Sequence, residues 1–197
     1  ALAQERGGAD AGYLARIEQE TERLEDLIAQ LLDSQTSALE LDAHIDLVPL
    51  LEELCDDANF EGQESHRRVE FNSETEQAVM ETAGDLLHKA FDNLIRNALL
   101  HTPDASSVSV ELRRESDEFV VCVTDRGPGV PEAELGKIFD AFYRVDTSRQ
   151  RESGGYGLGL SITRRAIERH SGSLVARNVN PGLSVTVRLP VPSDSLQ

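Results

Sequence analysis

The sequence predicts an α+β fold, a two-layer α/β sandwich with a mostly antiparallel sheet and helices on one face. Three observations predict it. Two stretches, "SSVSVELRRESDEFVVCVTD" and "GSLVARNVNPGLSVTVRLP", alternate apolar and polar residues about a central turn, as β-hairpins do. Two others, "LVPLLEELCDDANFE" and "GDLLHKAFDNLIRNALLH", repeat apolar residues at helical spacing. The strands come in hairpins and do not alternate singly with helices, which favours an antiparallel sheet over a doubly wound one.

The elements follow in chain order. Ala1–Arg6 reads as the last turns of a helix closed by Gly7 and Gly8. Leu14, Ile17, Thr21, Leu24, Ile28 and Leu31 are then spaced 3,4,3,4,3, a heptad seam with charged flanks. Residues 1–36 therefore read as a truncated helical hairpin, mainly its second helix, that pairs with a second copy in a four-helix bundle. A single amphipathic helix packed on its own domain is the competing reading. Residues 37–46 are polar and aperiodic and read as a linker. A helix begins near Leu47, with Pro49 tolerated in its first turn. "RRVEFNS" is a short strand. The next helix starts near Asp85 and stops at His101-Thr102-Pro103. The first hairpin turns at Glu115–Asp117 and the second at Asn180-Pro181-Gly182. Between them a glycine loop opens a helix over Leu160–Ser171. Residues 193–197 are a polar tail.

Composition narrows the function. The net charge of −17 repels a long nucleic acid from most of the surface, so no nucleic-acid partner is expected. No apolar run is long enough to span a membrane. The two cysteines, Cys55 and Cys122, sit in apolar-patterned segments and read as small buried hydrophobes. The chain opens in mid-pattern without an initiator Met and reads as a piece of a longer protein.

Three segments carry candidate chemistry. Asn93 and Asn97 are i,i+4 and share one helix face, with Lys89 a turn before and His101 a turn after. Two amide oxygens suit Mg²⁺, which keeps several waters and takes other ligands from phosphates. A solvated helix face has the same pattern. "TDRGPGV" ends a strand with Asp125, a carboxylate able to accept a hydrogen bond from an exocyclic amine, and Gly127 and Gly129 permit close approach of a flat ring. A plain turn has the same residues. "GGYGLGLSITRR" places a glycine loop before a helix, the arrangement that presents N–H groups to phosphate. Its spacing is neither the dinucleotide fingerprint nor a P-loop, and locally a flexible loop fits too.

Together the segments resemble the catalytic ATP-binding domain of bacterial sensor histidine kinases, members of the GHKL superfamily with the Bergerat fold. "HKAFDNLIRNALLHTP" is similar to the N box, "DRGPGV" to the G1 box, "IFDAFYR" to the F box and "GYGLGL" to the G2 box. The pattern looks closest to the EnvZ and Cpx envelope-sensing type. The resemblance spans roughly Ile45–Pro192, so residues 47–192 are expected to form the ATP-binding domain.

The resemblance implies a role for each position. Asn97 with Asn93 would hold Mg²⁺ against the triphosphate. Asp125 would receive the adenine amino group, helped by Thr186, and Gly127, Gly129 and Val130 would shape that pocket. Gly155, Tyr156, Gly157, Leu158, Gly159 and Leu160 would wrap the phosphates, and Arg144 would approach the γ-phosphate. Lys89, His101, Phe142 and Tyr143 would complete the ATP site. The stretch from Arg126 to about Tyr156 would be a mobile ATP lid anchored by Phe139 and Phe142. Two positions depart from the family pattern: Leu100 stands where a Lys or Arg touches phosphate, and Tyr156 where a small residue is common.

The family phosphorylates a histidine in an H-E/D-x-R-T-P segment. None of the five histidines here (His44, His66, His88, His101, His170) has that context, so the acceptor is expected upstream of Ala1. The implied activity is ATP-dependent protein-histidine kinase, with a homodimer through the hairpin and an aspartate-bearing response regulator as partner. The implied location is the cytoplasmic portion of a bacterial inner-membrane protein. Related ATPases of the superfold carry Glu at the place of Asn93, and Asn cannot take a proton from water. A GHKL ATPase, or a dimeric scaffold with a degenerate nucleotide site, are the alternatives.

Overall fold

A computed structural model describes residues 41, 43–83, 85–145 and 157–192. The expected hairpin (1–36), most of the linker, the C-terminal tail and the candidate residues Gly155 and Tyr156 lie outside the described residues.

Strand β1 (Ala43–Asp46) pairs antiparallel with β3 (Val79–Thr82), a small ribbon with Ala43 opposite Thr82. Residues 43–46, expected as the end of the linker, are thus part of the fold. Asp46 then caps helix α1 (Leu47–Glu61): its Oδ1 accepts the N–H of Val48 at 3.0 Å and that of Ala78 at 3.0 Å. One carboxylate thereby starts the helix and ties it to the chain leading into β3. Pro49 falls in the first turn, where no intrahelical N–H is needed. The helix buries Leu47, Leu50, Leu51, Leu54, Cys55 and Ala58, the spacing of one helical face.

Helix α2 (Leu86–His101) buries Leu87, Ala90, Phe91, Leu94, Ile95, Ala98 and Leu99. Thr102 leaves the helix in an extended conformation (ψ 132°), as the residue before Pro103 must. The five-stranded sheet runs β2-β4-β5-β7-β6, with β2 (Arg68–Ser73), β4 (Ser107–Glu115), β5 (Glu118–Thr124), β6 (Ser173–Asn178) and β7 (Leu183–Pro190). Only the β2–β4 pairing is parallel, so the sheet is mostly antiparallel, and both expected hairpins form.

Alternation along the strands divides the two faces. Val108, Val110, Leu112, Phe119, Val121, Val123, Val185, Val187 and Leu189 join α1, α2 and helix α3 (Gly159–Arg169) in one core. That is the two-layer sandwich, with the three α-helices of the described residues on one face. Cys122, Thr124, Ser184 and Thr186 lie on the opposite face. Cys122 is therefore no core hydrophobe: its Sγ lies 3.1 Å from Ser184 Oγ and 3.7 Å from Thr186 Oγ1. Cys55 is buried as expected, and desolvation, aided by the charge of Asp56, pushes its thiol up to about 12.

Candidate active site

A cavity of about 510 Å³ opens between the polar face of α2, the turn after β5, the segment approaching Val145 and the start of α3. Helix periodicity places Asn93, Arg96, Asn97 and Leu100 along its α2 wall, opposite the stripe that α2 buries in the core. Gly159 packs against this wall: a Cβ added there would lie 3.3 Å from Asn93 Oδ1. Thr163 fixes the helix pair, its hydroxyl donating to Ala90 O at 3.1 Å from within the buried interface.

Asp125 forms the floor and is 5 % exposed. Its Oδ1 accepts two N–H groups, from Gly127 at 2.7 Å and Leu183 at 3.1 Å. Its own N–H donates to Leu183 O at 2.9 Å. Both side-chain bonds fall on one oxygen, so Oδ2 keeps its acceptor capacity for a donor in the cavity. Gly182 makes this possible: its φ is +109° and a Cβ there would lie 1.9 Å from Asp125 O. His101 ends α2 beside this carboxylate; burial lowers its pKa while the Asp125 charge works the other way.

The turn after Asp125 is held from two sides. Thr102 Oγ1 accepts the N–H of Arg126 at 3.3 Å. Asn178 at the end of β6 accepts the N–H of Val130 at 2.9 Å and donates to Val130 O at 2.7 Å, copying a strand partner.

At the far end, α3 starts at Gly159 with no side-chain cap, which leaves its first N–H groups available to a ligand. Gly157, just before it, has φ +73°, and a Cβ there would meet Phe142 C at 2.8 Å. Phe142 donates its N–H to Gly157 O at 2.9 Å, so the segment after the short 3₁₀ turn (Glu132–Glu134) is stitched to the glycine loop. Arg164 on α3 adds an ion pair to Asp140 at 3.5 Å.

The cavity brings together Asn93, Asn97, His101, Asp125, Gly129, Val130, Tyr143, Arg144, Gly157, Leu158, Gly159 and Leu160. Gly127 stands one layer behind, holding Asp125, and Phe142 meets the glycine loop through its backbone. Two expectations are corrected. Lys89 is exposed and paired with Asp85 at 2.8 Å, away from the cavity. Thr186 follows Val185 and precedes Val187, both buried in the core, so strand alternation turns it to the other face beside Cys122. Leu183, Arg96 and Asn178 were not among the expected site residues. Strand alternation carries a signal for Leu183. None exists for Asn178, whose partner lies 48 residues away.

Among the described residues no group of three or more His, Cys, Asp or Glu side chains forms a metal cage. The donors on offer are the amide groups of Asn93 and Asn97, suited to a hard cation that takes its other ligands from phosphates and water.

Residues 82–193 match a protein-family profile described as histidine kinase-, DNA gyrase B-, and HSP90-like ATPase. Among curated proteins, the chain is 34% identical over 197 residues to the sensor histidine kinase CpxA of Escherichia coli K12, a match covering 97% of this chain and 42% of that one. It is 35% identical over 129 residues to the sensor histidine kinase WalK of Bacillus subtilis 168, covering 63% of this chain and 21% of that one. The chain thus spans less than half the length of these relatives. In fold it is similar to a nucleotide-free catalytic domain of the histidine kinase ThkA, with TM-score 0.68, 23% identity and coverage of 76% of this chain and 95% of that one.

Proposed function

The chain belongs to the histidine kinase-, DNA gyrase B- and HSP90-like ATPase family, as the ATP-binding catalytic part of a sensor histidine kinase, and from that premise we propose that its cavity presents Mg·ATP to a histidine on another segment. One observation carries the reading: the buried Asp125 carboxylate and the uncapped start of α3 line the same cavity, at opposite ends.

Each end suits one half of the nucleotide. Asp125 accepts the adenine amino group on Oδ2 while two backbone N–H groups fix Oδ1. The N–H groups at Gly157–Gly159 receive phosphate oxygens at the positive end of α3. Asn93 and Asn97 hold the cation from the α2 wall, and Arg144 reaches the γ-phosphate. Mg²⁺ held by Asn93 and Asn97 would supply charge neutralisation for the triphosphate. The acceptor imidazole attacks γ-phosphorus, the bond to the bridging oxygen breaks, and ADP leaves. Asn93 offers no carboxylate to activate water, which favours transfer to an external nucleophile over hydrolysis.

The activity belongs to a two-component phosphorelay, with a homodimer built on the N-terminal hairpin and an aspartate-bearing response regulator downstream. No helix among the described residues is long and apolar enough to cross a membrane. The kinship with sensor kinases supports a membrane-anchored parent with this part on the cytoplasmic side. The test is transfer from γ-labelled ATP to a separately supplied hairpin carrying an H-E-x-R-T-P segment. Acid-labile label is expected on the hairpin and none on this chain alone. Label on this chain alone, or free phosphate as the chief product, overturns the proposal.

A further inference from the structure

A second cleft, of about 910 Å³, lies apart from the nucleotide cavity and has the opposite charge to the molecule. His66, Arg67, Arg68 and Arg126 line it with the hydroxyls of Ser106 and Ser107, and Glu70 is the one carboxylate among its described lining residues. On a chain of net charge −17, three arginines facing one carboxylate is a marked local inversion. Arg67 is committed: it donates to Asp104 Oδ1 at 2.9 Å and to Leu99 O at 3.2 Å, anchoring the cleft to the last turn of α2. Arg68 and Arg126 are exposed and have no carboxylate partner among the described residues. Arg96, Arg113, Arg164 and Arg188, by contrast, each have one.

The walls are built. Arg68 donates its N–H to Ser106 O at 3.1 Å, and Ala105 donates to Ser65 O at 3.2 Å, so the two loops are stitched across the cleft. His66 and Ala105 both hold left-handed backbone there, with φ of 53° and 55°. At Val69 the edge of β2 is closed to an added strand, because Asn59 takes both the N–H (2.7 Å) and the carbonyl (3.0 Å) of that residue. A ligand in this cleft is therefore read by guanidinium and hydroxyl groups.

We propose that this cleft docks a short acidic segment of a protein partner. Guanidinium groups bind carboxylates with two-point geometry. At about 910 Å³ the cleft has room for several carboxylates in a row. A long polyanion is disfavoured, since beyond the cleft it would run over an acidic surface, whereas a short segment stays within about one Debye length, ~8–10 Å, of the arginines. The site does not depend on the nucleotide reading.

The test titrates the whole chain into fluorescein-labelled hexaglutamate at low salt, read by fluorescence anisotropy. Saturable binding is expected, and the double variant R68E/R126E lowers affinity by about tenfold or more. Neither side chain supports another described residue, and circular dichroism checks that the variant is folded; R68E alone serves if it is not. No saturation at about 1 mM protein, a range where even weak complexes form, or equal affinity in the variant overturns the proposal. So does displacement by inorganic phosphate at the peptide's own concentration, which marks a small-anion site, and so does tighter binding of a single-stranded oligonucleotide.

Discussion

At the residue scale, Asp125 concentrates the proposed chemistry. Asp125→Asn keeps an oxygen for the Gly127 and Leu183 N–H groups but puts an amide NH₂ where Oδ2 stood. That donor faces the adenine amino donor, so the variant is expected to fold normally and lose roughly 10- to 100-fold in ATP affinity, the worth of a hydrogen bond to a charged group. Unchanged affinity removes Asp125 from the adenine site. Leu100 is the second residue of interest, an apolar side chain 49% exposed on the cavity wall. Leu100→Lys is expected to tighten ATP binding by about two- to fivefold at low salt, the scale of one exposed charge pair. No change means that Arg96 or Arg144 already supplies the charge. Asp125 and the Asn pair were legible in the sequence because their residue types and spacing carry the signal. Thr186 was misplaced although the same strand gives the answer: Val185, Val187 and Leu189 claim the core face, so Thr186 cannot share it.

At the element scale, the long periodic elements were legible, and β1 and β3 were not. Four residues per strand are too few for a period-two signal, and their pairing joins Ala43 to Thr82 across the whole of α1 and β2. The β6–β7 hairpin and α3 formed where the pattern put them, to within two residues. The end of α3 holds a pH-sensitive joint. His170 is buried, with Nδ1 2.6 Å from Ala166 O and Nε2 3.1 Å from Thr82 Oγ1, linking α3 to β3. Burial lowers its pKa below the ordinary value of 6.5, as it does for His101. The unfolded chain then binds these protons first, so the two histidines leave stability unchanged well above pH 6.5 and lower it as pH drops through and below that value. Glu115 and Asp85, whose pKa values are lowered by Arg188 and Lys89, act only below their ordinary values of 4.5 and 3.8. Urea midpoints are expected to fall between pH 7.5 and pH 5.5, and less in His170→Gln. A flat profile contradicts this.

At the scale of the whole molecule, an acidic chain carries two concave sites that share the Asp125–Arg126 step, one for a nucleotide and one of inverted charge. The first was legible as a set of motifs long before any contact was known, because phosphate, cation and adenine each demand a residue type in a fixed order. The second was not, since its lining comes from three separated stretches: Arg67–Arg68, the loop at Ser106 and Arg126. The central claim is that the 510 Å³ cavity holds Mg·ATP, and isothermal titration calorimetry of the whole chain with ATP tests it most directly, run with and without Mg²⁺. The expected result is one site per chain with Kd below about 1 mM, weakened when Mg²⁺ is withheld and weakened roughly 10- to 100-fold in Asp125→Asn. Absence of any Mg²⁺-dependent heat at millimolar ATP contradicts it.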